Sequence, residues 1–142
     1  MTTIFESHDP RSAPRDEEVA KLRVPPHSIE AEQSVLGGLL LDNGAWDRAA
    51  DVLNETDFYR YEHRLIFGAV GGLINATKPA DVITVFEQLQ SLGKAEECGG
   101  LAYLNALAQS VPSAANLRRY AEIVRERAIL RKLIAASDEI AT

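Results

Sequence analysis

Few side chains in this sequence stand where chemistry could begin. The histidines, His8, His27 and His63, lie far apart, and Cys98 has no Cys or His neighbour at the short spacing of a zinc site. His63 follows Glu62 at a helix start, where a capping or surface role is the simpler reading. Asp42, Asp47, Asp51, Asp57 and Asp81 sit where turns and helix N-termini favour an acid, since a carboxylate accepts from the free N–H groups of a first turn. No Gly-x-Ser-x-Gly elbow, Cys–His pair or Ser-x-x-Lys unit is present. Gly37-Gly38 lacks both the spacing and the following Lys-Ser/Thr of a phosphate loop, and inside a helix it reads as a point of close helix packing. The sequence therefore predicts no catalytic residue, no metal ligand and no cofactor-binding residue.

Bulk properties narrow the class. A chain of 142 residues buries one hydrophobic core comfortably and two with difficulty. The net charge of −6 argues against broad affinity for a nucleic-acid backbone, which needs clustered Lys and Arg. A single cysteine makes no internal disulfide, which fits a reducing cytoplasm. The sequence has no apolar run of the roughly 18 residues a membrane span needs. The N-terminus has no apolar signal-peptide core. These features predict a soluble, cytoplasmic protein.

The elements that must position any site read as helices. Residues 1–24, with Pro10, Pro14 and the run Arg15-Asp16-Glu17-Glu18, are expected to form a disordered leader, closed by the stiff pair Pro25-Pro26. Ser28 is placed to cap a helix from about Ile29 to Leu41, with Glu30 and Glu32 in its first turn. Trp46, Ala49, Ala50 and Leu53 give a second helix at i, i+3, i+4, i+7 spacing. A third spans about Glu62 to Ala76. Asp81 caps a fourth, which Gly93 closes, and Gly99-Gly100 opens a fifth. Asp57-Phe58-Tyr59 reads as a plug that seats its loop on the core. No strand-period segment competes, so the expected fold is all-α.

The sixth helix, from Leu117 to Thr142, is different. Its six basic residues (Arg118, Arg119, Arg125, Arg127, Arg131, Lys132) and four acidic ones leave it at +2, against −6 for the chain, so residues 1–116 carry −8. Glu122–Arg125 would give it weak surface support. Leu117, Tyr120, Ala121, Ile123, Val124, Ala128, Leu130, Leu133 and Ile134 cover more than one narrow stripe. A helix this long outreaches the small body before it, so part of its apolar surface is expected to meet a partner. The helix carries no terminating signal before Thr142, from which a further downstream segment is expected.

The stretch Pro25-Pro26-His27-Ser28-Ile29-Glu30-Ala31-Glu32-Gln33-Ser34-Val35-Leu36-Gly37-Gly38-Leu39 resembles the opening of bacterial replicative DNA helicases of the DnaB family. The resemblance continues through Asp57-Phe58-Tyr59, His63-Arg64-x-Ile66-Phe67, Pro79-x-Asp81-Val82-Ile83-Thr84 and Gly99-Gly100-x-Ala102-Tyr103-Leu104. It ends with Pro112-Ser113-Ala114-Ala115-Asn116 and Tyr120-Ala121-x-Ile123-Val124-Arg125-Glu126-Arg127-Ala128, in order and without a large gap.

The resemblance implies the N-terminal collar domain of a ring-shaped homohexamer. Residues 25–116 would form a compact helical head, and residues 117–142 the first helix of a projecting hairpin. A separate RecA-like motor, outside this sequence, would bind ATP and magnesium and drive the ring along single-stranded DNA. The implied partners are further copies of the chain, the C-terminal domain of primase and a helicase loader. Tyr120, Val124, Ala128, Ile134 and Ala135 would help form the hairpin seam. Glu30, Asp81, Tyr103, Arg127 and Ile134 would serve primase docking, although Glu30, Asp81 and Tyr103 also read as a first-turn acid, an N-cap and a core edge. Two other classes stay open: a stand-alone helical adaptor of another replication enzyme, and a weak single-stranded DNA-binding module resting on the basic residues of the last helix.

Overall fold

The computed structural model describes residues 24–111 and 114–141, so the expected leader, apart from Val24, and the Pro112-Ser113 bend lie outside the described residues. The described residues form six α-helices and no strand: α1 (Ile29–Leu41), α2 (Trp46–Ala50), α3 (Tyr61–Asn75), α4 (Val82–Ser91), α5 (Gly100–Gln109) and α6 (Leu117–Ala141). Short 3-10 turns at Asn43–Ala45, Glu55–Asp57 and Ala114–Asn116 join some of them.

The ends of these helices follow from side-chain chemistry. Ser28 Oγ accepts the Ala31 N–H at 3.2 Å and starts α1. Asp81 and Thr84 satisfy each other's backbone N–H groups in a reciprocal cap on α4. The α4 end closes through Gly93, whose φ of 72° lets the Lys94 N–H reach back to the Leu89 carbonyl. The α3 end uses the same closure at Thr77, with φ 62° and the Lys78 N–H on the Leu73 carbonyl. A non-glycine residue is uncommon there, because its Cβ crowds the backbone.

Helix α1 is the hub, packing against α3, α5 and α6. Val35, Leu36 and Leu39 are fully buried against a cluster that includes Ile66, Val70, Leu104, Leu107 and Leu117. The glycine pair permits this. A Cβ at Gly37 would collide with the Leu107 carbonyl oxygen, and one at Gly38 would stand 2.7 Å from Leu117 Cδ1. The close-packing reading of Gly37-Gly38 therefore holds, with α5 on one glycine and the start of α6 on the other. Helix α2 is shorter than its apolar spacing suggests, because the chain turns out of it after Ala50 to bury Leu53.

A side-chain staple outside the helices completes the body. Asn43 donates to the Ala80 carbonyl at 2.7 Å and accepts the Ala80 N–H at 2.8 Å, as a neighbouring strand would. It joins the end of α1 to the lead-in of α4.

Candidate protein interaction surface

Helix α6 is the element with the most surface to offer. Leu117, Ala121, Val124 and Ala128 repeat at helical spacing and are buried in the chain's own interior. The next position on that stripe is Arg131, which reaches back to the body: its guanidinium donates to the Pro26 carbonyl at 2.8 Å and the Asp57 carbonyl at 2.6 Å. Burial is the first cause that lowers the Arg131 pKa. Past this anchor, residues 132–140 are all exposed. Ile129, Leu130, Leu133, Ile134 and Ile140 lie open on the flank turned away from the buried stripe, with Leu133 60% and Ile140 86% accessible. Apolar residues grouped on one side of a projecting helix mark an interaction surface.

The five residues expected at a hairpin seam are divided by this geometry. Val124 and Ala128 face inward and Tyr120 packs against the core from a half-buried position, so these three serve the chain's own packing. Ile134 and Ala135 are exposed. Ile129, Leu130 and Leu133 join Ile134 on the open flank.

The five residues expected at a primase-docking site sit on separate elements. Glu30 is exposed on the first turn of α1, and Asp81 is exposed while capping α4. Arg127 is half-buried on α6, and Ile134 belongs to the open flank. Tyr103 is half-buried on α5, where its hydroxyl takes part in a buried polar chain.

That chain is the principal correction to the sequence reading. His63, expected at a cap or on the surface, has 0% exposure, and Glu32 has 1%. Glu32 Oε1 lies 2.7 Å from His63 Nδ1, and Oε2 accepts the Tyr59 N–H at 2.7 Å. A carboxylate only accepts, so Nδ1 carries the proton, and in the neutral ring Nε2 accepts from the Tyr103 hydroxyl at 2.6 Å. Gln33 Nε2 donates to the same hydroxyl at 3.2 Å. Burial raises the Tyr103 pKa, keeping the phenol a donor.

A carboxylate, an imidazole and a hydroxyl in line invite a catalytic reading. The geometry favours a structural one: the imidazole and carboxylate are shut off from solvent, and both ring nitrogens are taken by the chain's own groups. Clefts of about 330 Å³ open elsewhere, one along Trp46, Phe67 and Gly71, another along Tyr61, Arg64 and Leu92. Among the described residues, no group of three or more His, Cys, Asp or Glu side chains is placed to hold a metal, and no helix is long and apolar enough to cross a membrane.

The basic residues of α6 are mostly occupied. Arg118 and Arg119 pair with Glu122, and Arg119 also with Glu126, so the expected Glu122–Arg125 support is replaced by these pairs. Arg125 instead turns inward to Asp57, at 2.9 Å.

Glu32 and Arg131 each carried a readable signal, a charge on an otherwise buried helical stripe. Glu32 precedes Val35, Leu36 and Leu39, and Arg131 follows Val124 and Ala128. His63 carried none, since its partners come from α1 and α5.

The family model described as the DnaB-like helicase N-terminal domain matches residues 24–126. The replicative DNA helicase DnaB of Haemophilus influenzae is 46% identical over 132 residues, which cover 93% of this chain and 28% of the relative. That of Geobacillus stearothermophilus is 45% identical over 119 residues, covering 84% of this chain and 26% of the relative. The chain thus spans roughly a quarter of the length of these curated relatives. Among solved structures, the N-terminal domain of DnaB helicase from Mycobacterium tuberculosis superimposes with a TM-score of 0.81 at 41% identity, over 83% of this chain and 86% of that one. The N-terminal domain of the Helicobacter pylori DnaB helicase, described together with its interactions with primase, gives a TM-score of 0.68 at 25% identity over 78% of this chain and 86% of that one.

Proposed function

Because the chain belongs to the family of DnaB-like helicase N-terminal domains, we propose that it builds the collar of a hexameric replicative helicase and docks primase there. Residues 25–116 act as the head, and residues 117–142 as the first helix of a hairpin. A RecA-like motor of the whole protein supplies ATP and magnesium chemistry and moves the ring along single-stranded DNA in the cytoplasm; the helicase loader meets the same ring.

One observation carries this reading: the apolar flank of α6 that opens beyond Arg131. Ile129, Leu130, Leu133 and Ile134 have no covering element among the described residues and suit a second helix laid alongside. The primase interactions described for the Helicobacter pylori domain support docking on the same fold. Ile134, on that flank, is the docking candidate closest in character to an apolar anchor.

The reading as a single-stranded DNA-binding module fares worse. Arg118, Arg119, Arg125 and Arg131 are held by groups of the chain itself, leaving Arg127 and Lys132 without an ion pair among the described residues.

Solution mass by light scattering over a concentration series, with and without a primase C-terminal domain, tests the proposal. Self-association and complex formation are expected, both lost in Leu133→Glu with Ile134→Glu. A chain that stays monomeric and ignores primase at every concentration would refute it.

A further inference from the structure

We propose that the Asp57–Arg60 loop is a strap that sets the angle of α6 to the body, and that the buried chain from Tyr103 holds the strap in place. The loop is gripped from two sides. On the α6 side, Arg125 binds the Asp57 carboxylate at 2.9 Å, and Arg131 donates to the Asp57 carbonyl at 2.6 Å. The Arg131 guanidinium also lies 5.4 Å from the centre of the Tyr59 ring, which stacks on His27 at 4.2 Å. On the body side, Glu32 receives the N–H groups of Tyr59 and Arg60, and is itself held by His63 and, through it, Tyr103.

The grip has directional force. Hydrogen bonds with an ionised partner are short and strongly oriented, and several of these are partly or wholly out of water. Phe58, fully buried with its ring against Phe67 and His63 of α3, keeps the loop from sliding. The apolar stripe of α6 ends at Ala128, and one turn further on Arg131 adds a polar hold that resists a tilt of the helix. A tilt of roughly 20° about Ala128 would carry Ser137, about 14 Å further along the axis, by about 5 Å. Such a tilt would break the Arg131 bonds.

The chain also has an accessible end. Glu32 and His63 are sealed, whereas Tyr103 and Gln33 are half-buried at the edge of the body. A group that binds at this edge and takes the Tyr103 hydroxyl away from His63 would loosen Glu32, then the loop, then the hold on α6.

Distance measurement between spin labels at Gln90→Cys on α4 and Ser137→Cys on α6 tests this, in the full chain with Cys98→Ala and diluted with unlabelled protein to suppress signals between copies. The background protein is expected to give one narrow distance distribution. Arg131→Met should shift or broaden it, a tilt of roughly 20° corresponding to about 5 Å at Ser137. Tyr103→Phe and His63→Gln, whose lost bonds lie away from α6, should move it in the same sense, Tyr103→Phe serving if His63→Gln fails to fold. If both folded variants melt at a lower temperature yet keep the original distribution, the chain is a local brace and the coupling is overturned. An unchanged distribution in Arg131→Met would overturn the strap itself.

Discussion

Arg125 Nη1 stands 2.9 Å from Oδ1 of Asp57, a carboxylate with no exposed surface. The two come from a loop and a helix separated by 68 positions, so this bond records how α6 lies on the body. The other carboxylate oxygen accepts the Asn54 N–H at 3.0 Å, and Asp57 therefore both closes its own 3-10 turn and receives α6.

Removing Arg125 leaves that buried charge with a single backbone donor. Arg125→Met, which keeps the aliphatic stem, should destabilise the chain by about 2–3 kcal/mol, below the full cost of orphaning a buried ion because the guanidinium is partly solvated. Urea denaturation would show a lower midpoint with an unchanged slope. A change below about 0.5 kcal/mol, the range of ordinary surface substitutions, would mean that solvent replaces the arginine.

His63→Leu should be harsher than His63→Gln. Leucine leaves Glu32 without its ring partner and Tyr103 without its acceptor, in surroundings that admit little water, at a cost of about 3 kcal/mol or more. Glutamine can restore one of the two bonds. Thermal melts of the two variants should rank in that order, and equal melting temperatures would show that shape rather than hydrogen bonding holds this site.

The helices were legible from the sequence because each announces itself locally. Ser28, Asp81 and Gly93 act where their types predict, and the apolar positions of α1, α3 and α4 follow the helical repeat. The plug role of Asp57-Phe58-Tyr59 was legible too, since Phe58 is fully buried. The polar interior was not. Glu32 and His63 meet across 31 positions and His63 and Tyr103 across 40, and no local pattern encodes a pairing between elements. The inward turn of Val124 and Ala128 was hidden for a related reason: one apolar stripe looks the same whether its own body or another chain covers it.

Glycine supplies an internally controlled prediction. Gly37→Ala places a methyl group against the backbone carbonyl of Leu107 and 2.5 Å from Val111 Cγ2. A carbonyl cannot rotate away, so the clash should outweigh alanine's better helix propensity and cost about 1–3 kcal/mol. Gly72, exposed on α3, has nothing within 4 Å of an added Cβ. Gly72→Ala should therefore stabilise the chain by about 0.5–1 kcal/mol. Opposite shifts in denaturation midpoint are expected, and shifts of the same sign would contradict the packing described for α1.

The Cys98 thiol gives a pH dependence of known sign. Burial first, then the carboxylates of Glu62 and Glu97, push its pKa up to about 11. The unfolded thiol ionises near pH ~8.5, so between there and about 11 the folded state holds the proton more tightly. This contribution is fully present below the lower value and declines as pH rises through the upper one. Compared with Cys98→Ala, the native chain should lose stability more steeply over that window, and its thiol should react slowly with iodoacetamide at pH ~8, where roughly a quarter of the unfolded thiol is ionised. Rapid alkylation of the folded protein at that pH would show that the thiol opens to solvent.

The open flank of α6 separates stability from assembly. Leu133 is 60% accessible and lies beyond the Arg131 anchor, so Leu133→Glu removes little buried surface from the monomer. Its effect on chemical denaturation, measured at concentrations where the chain is monomeric, should stay within about 0.5 kcal/mol. In an assembly that covers this flank, the same carboxylate is buried without a partner, which is costly. Sedimentation or light scattering should then show association weakened at least tenfold, about 1.4 kcal/mol. Leu117→Ala, on the buried stripe, should do the reverse: a loss of about 2–5 kcal/mol in stability with the association of the folded fraction largely kept. If Leu133→Glu destabilises the monomer instead, the flank is part of the chain's own fold and another face must carry assembly.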